Sequence, residues 1–372
     1  MKHRRDELRA RLDDLECDAL FFSTMVGGID SYTLVAVRYL TGFSGSNGQL
    51  IVGRDGDILF TDPRYSEQVK REAPDIEAII YGTKVSGSGE AVPAMSLLEE
   101  GLGRVGGKRL GVDAQTMTLQ SAKNLREKLA GIELVETSGL VEELRLIKDQ
   151  TEVEHLRTAC SYGDIALGNT LGQLKEGLTE FDVAVILEAE MRKAGSHGLS
   201  FDTIVAFGEQ AAEPHHRPRA DRKLKRGDLI KFDFGGTHLG YHADMTRTVA
   251  FGEPSDEHRR IYELVRESQQ AGLDAVRAGV TNGSIDEACR NFLKERGFDF
   301  GHGTGHGVGL ETHEAPGVAK GGEKVLEPGM CITIEPGIYL PGDCGVRIED
   351  SVAVTEEGCD ILTTFPKELQ VV

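Results

Sequence analysis

The sequence predicts an α/β domain followed by an α+β domain built from two similar halves, and three observations carry that expectation. At 372 residues the chain exceeds what one hydrophobic core organises, and a prior near ~150 residues per domain gives two. Helical and strand patterns alternate through residues 1–140, as in an α/β unit. Beyond residue 141 an order of two helices followed by strands occurs twice, which points to paired α+β halves closing on one site. The domains are therefore set at 1–140 and 141–372, with the change of character between Thr137 and Asp149.

Leu8, Leu12 and Leu15 recur at helical spacing from Asp6 to Leu15, and Ala19 to Phe22 reads as a buried strand. Arg38 to Phe43 leads into the turn-rich Ser44 to Gly48, and Gln49 to Val52 with Asp57 to Thr61 makes a β-hairpin across Gly53 to Gly56. A helix around Tyr65 to Ala73, a strand at Ile76 to Tyr81, a helix near Ala91 to Leu102 and a strand at Arg109 to Val112 follow, and Leu140 to Leu146 reads as a short connecting helix. Four longer helical patterns run Thr151 to Leu174, Thr179 to Ala194, Ser255 to Ala278 and Ser284 to Arg296. Thr179-x-x-Asp182 and Ser284-x-x-Glu287 resemble capping boxes, and Gly195, Gly279 and Gly297 stand where C-terminal caps belong. Strands are expected at Thr203 to Phe207, Leu229 to Phe234, Ala243 to Phe251, Met330 to Glu335 and Arg347 to Val354.

Composition narrows the class. A net charge of -19 argues against nucleic acid and anionic membranes, which require a basic surface; the basic run Arg217 to Arg226 reads as a solvated loop. No apolar stretch approaches the ~18 residues of a membrane span. The first residues carry positive charge without an apolar segment behind it, unlike a secretory signal. The six cysteines are scattered without a C-x-x-C pair, which reads as reduced thiols in a cytoplasmic protein.

The chemistry concentrates in Phe300 to Glu314, FGHGTGHGVGLETHE, where His302, His306 and His313 lie among glycines that let backbone and ligand approach. Its glycines are spaced by two, unlike a dinucleotide fingerprint, and no phosphate-loop ending is present. Asp233 sits in an apolar strand, and Asp244 follows 11 residues later, so two antiparallel strands can bring both acids to one end. Glu335 ends an apolar strand, and Arg347 and Glu349 share one face of another. Buried acids so grouped need protons, cations or a metal. Four carboxylates and an imidazole, without thiolate, suit a pair of divalent ions such as Mn²⁺ or Co²⁺ and admit Zn²⁺.

The combination DFG, GYHADMTRT, HGTGHGVGLETHE, IEPG and GVRIED closely resembles the metallopeptidases of the pita-bread fold, namely aminopeptidase P, prolidase and, more distantly, methionine aminopeptidase. RYLTGFSGSNG and FTDPRY resemble their creatinase-type N-terminal domain, so the likeness covers nearly the whole chain. The resemblance implies metal ligands Asp233, Asp244, His306, Glu335 and Glu349, with Asp244 and Glu349 shared by two ions. It implies that Glu335 moves the proton of a metal-activated water, that His215 and His313 orient substrate and stabilise the oxyanion, and that His302 and Arg347 bind on the substrate side or back the ligands. Gly208 to His215 resembles the family pattern G-x-N-A-A-x-P-H, whereas counting back from Gly227 points to His216; His215 is preferred.

The expected activity is an Xaa-Pro aminopeptidase acting on peptides with proline second, on the strength of GFSGSNG and TDPRY, with the Xaa-Pro dipeptidase (prolidase) as the alternative. A homodimer is expected. Metal-free relatives of the fold, histone-chaperone domains and creatinase, are disfavoured because all five ligand positions are kept. Three residues depart from the family pattern: Pro63 and Cys344 for glycine, and Ala243 for serine. Cys344, close in sequence to Arg347 and Glu349, is expected to be partly exposed near cationic groups and the most reactive of the thiols.

Overall fold

The computed structural model describes residues 1–23, 32–82 and 94–372, and the chain divides into two compact units, Met1–Leu144 and Arg145–Val372. Unit 1 contains α1 (Lys2–Ala10), β1 (Ala19–Ser23), α2 (Tyr32–Thr41), β2 (Gly48–Gly53), β3 (Asp57–Thr61), α3 (Ser66–Glu72), β4 (Glu77–Ile80), α4 (Ala94–Val105), β5 (Arg109–Asp113), α5 (Leu119–Lys128) and β6 (Glu133–Thr137), and α6 (Leu140–Arg145) lies at the division. The strands form one mixed sheet in the order β4-β3-β2-β1-β5-β6, with Phe21, Ile51, Phe60, Leu102, Leu110 and Leu125 in its core.

Several sequence expectations need correction here. The first helix stops at Ala10, with turns carrying the buried Leu12 back against Cys17. The segment read as leading into a turn is the helix α2; its β-branched run YTLVAVRYLT gives weak helical preference, and burial of Val35, Val37 and Leu40 outweighs it. The helix α5 and edge strand β6 escape the sequence reading because each buries little: Leu125 alone is buried in α5, and Thr137 alone in β6. The helix expected from Ala91 begins at Ala94 among the described residues, and Ala91 to Pro93 lie outside them.

Unit 2 opens with α7 (Gln150–Leu171) and α8 (Glu180–Ala194), which pack on a three-stranded sheet of β7 (Ile204–Phe207), β8 (Leu229–Phe234) and the later β11 (Met245–Ala250), after the small hairpin of β9 (Thr237–His238) and β10 (Tyr241–His242). Then α9 (Asp256–Ala275) and α10 (Asn282–Lys294) pack on a sheet of β12 (Gly305–Gly307), β13 (Glu314–Val318), β14 (Cys331–Ile334), β17 (Asp350–Val354) and β18 (Cys359–Ile361), and β15 (Gly337–Leu340) pairs with β16 (Cys344–Arg347). Each half has its own core, one around Leu167, Leu187, Phe232 and Val249, the other around Ile261, Ile285, Ile332 and Val352. The two-halves expectation holds: this is the pita-bread arrangement.

Thr179 caps α8 in a capping box with Asp182, and Gly195 closes it in the left-handed region at φ 116°. The other expected box fails: Thr281 caps α10, accepting from the Ser284 N–H, because the helix starts two residues earlier. Nor does Gly279 cap α9, which ends at Ala275.

Strand ends place the acids. Alternation along β8 sends Ile230, Phe232 and Phe234 into the α7/α8 core and leaves Lys231 and Asp233 on the opposite face. The strand expected from Arg347 to Val354 is two: β16 pairs with β15, the chain leaves that ladder at Ile348 and Glu349, and β17 pairs with β14. Asp244, Glu335 and Glu349 each stand immediately beside a strand end, and there the Glu335 N–H donates to Thr304 O and the Glu349 N–H to Thr246 O.

The glycines around His306 are required by close approach. A Cβ on Gly305 would sit 1.9 Å from Thr333 O, and one on Gly307 would sit 2.3 Å from Ala315 O. Gly305→Ala is therefore expected to destabilise unit 2 by roughly 1–3 kcal/mol or more, the cost of overpacking, read as a lower urea midpoint. An unchanged midpoint would show that β12 has room to move.

Candidate active site

Unit 2 holds a cavity of about 430 Å³ lined by all the residues that the sequence singles out: His215, Asp233, Asp244, His302, His306, His313, Glu335, Arg347 and Glu349. Four carboxyls thus converge from separate strands, and their donor atoms fall into overlapping groups whose members lie within 4.8 Å of one another: Asp233, Asp244 and Glu349; His306, Glu335 and Glu349; Asp244, His306 and His313. Asp244, His306 and Glu349 each belong to two of these groups, so the groups form one continuous cluster of donors.

Arg347 is the cation among them. Its NH2 donates to Asp233 Oδ2 (2.5 Å), its Nε to Thr246 Oγ1 (3.0 Å), and its NH1 to Tyr339 Oη (3.1 Å) and Pro214 O (3.2 Å). Only 3% of Arg347 is exposed, so it holds the carboxylate face from behind. Burial, then Glu349 and Asp233, pushes the Asp244 carboxyl well above the usual range. Burial, then Glu335 and Asp233, does the same to Glu349, and burial raises Glu335 to about 7. Asp244 Oδ1 and Glu349 Oε1 are buried and make no hydrogen bond, whereas Glu349 Oε2 accepts from Thr246 Oγ1 (2.8 Å). Orphaned buried oxygens are costly.

The imidazoles are set to match. His306 Nδ1 donates to Gly307 O (3.1 Å), which leaves Nε2 as an acceptor 3.5 Å from Asp244 Oδ2 and 3.4 Å from Glu335 Oε1. Burial, with His313 nearby, lowers His306 to about 4, so the ring is neutral, the form that binds metal, and its second nitrogen is fixed by a backbone carbonyl. The oxygen-rich donor set, the neutral Nε2 and the two unbonded carboxylate oxygens fit divalent ions.

His302 is half-buried, its Nδ1 on Gly303 O (2.7 Å) and its Nε2 on Tyr339 Oη (2.9 Å), and burial lowers it to about 4. Tyr339 therefore joins His302 to Arg347; sequence reading missed it, although it stands four residues after Glu335 in EPGIY. His313 is exposed and packs edge-on against His306 with ring centroids 4.2 Å apart. Its neighbour Glu314 is held by Arg145, which also reaches Glu311 at 2.6 Å.

The two adjacent histidines separate clearly. His216 is buried, with Nε2 on Glu180 (2.8 Å) and Nδ1 on Glu213 (2.9 Å), and Glu180 also accepts from the Phe207 and Arg219 N–H groups. His215 is exposed at the cavity, hydrogen-bonds to none of the described residues, and lies close enough to His302 and His313 to disfavour charge on either. His215 is thus presented to a ligand and His216 braces the loop.

One expectation fails outright. Cys344 is fully buried, and burial with Asp343 and Glu257 nearby pushes its thiol up to about 12. The β15–β16 pairing covers it, so it is poorly placed for alkylation; Cys359 is the most exposed of the six.

Residues 154–356 match Metallopeptidase family M24, and residues 4–147 match the Creatinase/Prolidase N-terminal domain. The chain belongs to metallopeptidase family M24. It is 34% identical over 372 residues to the Xaa-Pro dipeptidase of Pyrococcus furiosus, covering 99% of this chain and all of that one. It superposes on the Xaa-Pro dipeptidase from Bacillus anthracis with a TM-score of 0.90 at 36% identity, over 100% and 99% of the two chains. The X-Pro aminopeptidase of Thermotoga maritima superposes with a TM-score of 0.90 at 34% identity, over 99% and 100%. The M24 match and the chain-long likeness make this a metallopeptidase with two domains of known type.

The contrast between the two histidines is testable. His216→Ala should cost roughly 1–3 kcal/mol by leaving buried Glu180 short of a partner, seen as a lower urea midpoint. His215→Ala should keep the midpoint and lose turnover by ~10²-fold. The reverse pattern would exchange their roles.

Proposed function

We propose that this protein is a dinuclear-metal exopeptidase that cleaves the bond before proline, acting chiefly as an Xaa-Pro dipeptidase. The observation that carries the chemistry is the meeting of Asp233, Asp244, His306, Glu335 and Glu349 in one cavity with Asp244 Oδ1 and Glu349 Oε1 lacking any hydrogen bond. The dipeptidase choice is supported by the Pyrococcus and Bacillus relatives. A second reading, the Xaa-Pro aminopeptidase toward which the sequence leans, is supported by the Thermotoga structure at the same TM-score.

The five ligands would hold two divalent ions, with Asp244 and Glu349 shared between them. When bound, the ions supply a water made nucleophilic at neutral pH and polarisation of the scissile carbonyl. Glu335 would take the proton of that water on a carboxylate oxygen and pass it to the departing proline nitrogen. His215 and His313 donate toward the developing oxyanion from the exposed side of the cavity. Arg347, held between Asp233 and Tyr339, keeps the carboxylates in register, and His302 shapes the pocket behind the substrate.

Mn²⁺ is the preferred metal by the hardness of the donor set, ahead of Co²⁺ and Zn²⁺. The activity is assigned to residues 141–372, with 1–140 as the creatinase-like domain. A cytoplasmic homodimer acting on peptides with proline second completes the reading; all six cysteines are free of disulfides, and among the described residues no helix is long and apolar enough to cross a membrane.

Three outcomes check the proposal. Asp244→Ala and Glu349→Ala should each lose hydrolysis and both metals together, since each is shared; two retained ions with normal turnover would remove the assignment. His313→Ala should lose ~10²-fold in kcat with metal content intact, and loss of metal instead would make His313 a ligand, as its grouping with Asp244 and His306 permits. Rates on Xaa-Pro dipeptides should exceed those on Xaa-Pro tripeptides of the same first residue, and the opposite ratio would make the enzyme an aminopeptidase.

A further inference from the structure

A second cluster of metal-ligating side chains lies outside the cavity, at the tip of the β15–β16 hairpin. His258 stands in the first turn of α9, Asp343 in the hairpin turn and Cys344 at the start of β16, and each offers a donor atom within 4.8 Å of the other two. His258 Nε2 is 3.1 Å from Asp343 Oδ1. Bonds of about 2.0–2.2 Å from nitrogen and oxygen to a tetrahedral zinc ion place two such ligands roughly 3.3 Å apart, so little movement is needed to seat one.

Two further features of the cluster favour a cation. His258 Nε2 already faces the Asp343 carboxylate as its hydrogen-bond partner, while Nδ1 is buried and makes no hydrogen bond, so the ring can turn over its proton to Nδ1 and free Nε2 for an ion. The Cys344 thiol is likewise buried, outside any disulfide, and it faces Asp343 and Glu257. A field that disfavours a bare thiolate favours a divalent ion, which replaces the thiol proton as it binds.

We propose that Cys344, His258 and Asp343 form a separate site for a thiophilic divalent ion of the zinc class, with water completing the shell on the side where Asp343 is half exposed. One sulfur, one nitrogen and one oxygen donor make a softer set than the carboxylates of the cavity, so the two sites select different metals. On binding, a metal–sulfur bond forms, the S–H bond breaks and its proton goes to solvent; nothing is oxidised or reduced. The register of the hairpin, Leu340 opposite Cys344 at the tip and Gly337 opposite Arg347 at the base, connects the site to the cavity. An ion that ties the tip to α9 restrains the two strands that carry Tyr339 and Arg347.

Cobalt tests this directly, because no cysteine lines the cavity and a thiolate-to-cobalt charge-transfer band therefore reports the hairpin site. Titration of the metal-free full-length protein with Co²⁺ should give such a band saturating at one ion per chain. Cys344→Ser should abolish it, and Asp343→Asn, a change at an exposed position, should weaken Co²⁺ binding followed by the band roughly tenfold or more. Asp244→Asn should keep the band while losing peptidase activity, so failure of this site and failure of the proposed function are read separately. No band in the wild-type protein, a band that survives in Cys344→Ser, or Co²⁺ binding unchanged in Asp343→Asn overturns the proposal.

Discussion

Four carboxyl groups buried against one guanidinium set the terms for the rest of the catalytic unit. Each ion moved out of water costs several kcal/mol even after relaxation, and Arg347 reaches directly only Asp233, with Glu335 at 3.9 Å. The fold can carry the others by holding protons on them, which the upward displacement of Asp244, Glu335 and Glu349 describes, or by binding cations. A site of this kind weakens the protein when bare and strengthens it when filled.

The scaffold explains how such a cluster is built. Both halves bury ordinary apolar cores on their helix-facing sides, and that burial secures the strands whose ends carry the acids. Asp233 lies within β8, while Asp244, Glu335 and Glu349 lie just outside strands, where the backbone can turn a side chain inward without losing a ladder partner. Thr246 and Thr333 then steady Glu349 and Glu335. Beneath Glu349, Arg247 donates to its carbonyl and pairs with Asp350 in a fully buried contact, so the loop between β16 and β17 is fixed from below.

Much of this was legible in the sequence because chemistry and periodicity coincide there. Asp233 stands out as a charge in an apolar strand, and the glycines about His306 announce a close approach that the backbone confirms against Thr333 and Ala315. What escaped was set by long-range contacts. The helix α2 depends on burial that its local preference hides, and the break between β16 and β17 arises because β15 captures one strand and β14 the next. Tyr339 carries no charge and sits in an apolar strand, so its link between His302 and Arg347 becomes visible only once those segments meet. Cys344 was misjudged for a related reason: closeness in sequence to Arg347 says nothing of the partner strand that covers it.

The central claim is that the buried carboxylates are a binding site for divalent cations. Calorimetric titration of Mn²⁺ into the metal-free protein, with the thermal midpoint followed over the same range of free metal, tests it most directly. The account predicts two ions per chain and a midpoint that climbs with free metal, each site adding about 2.7 kcal/mol at 100 times its Kd. A chain that binds no Mn²⁺, or whose midpoint stays fixed as metal is added, would contradict it.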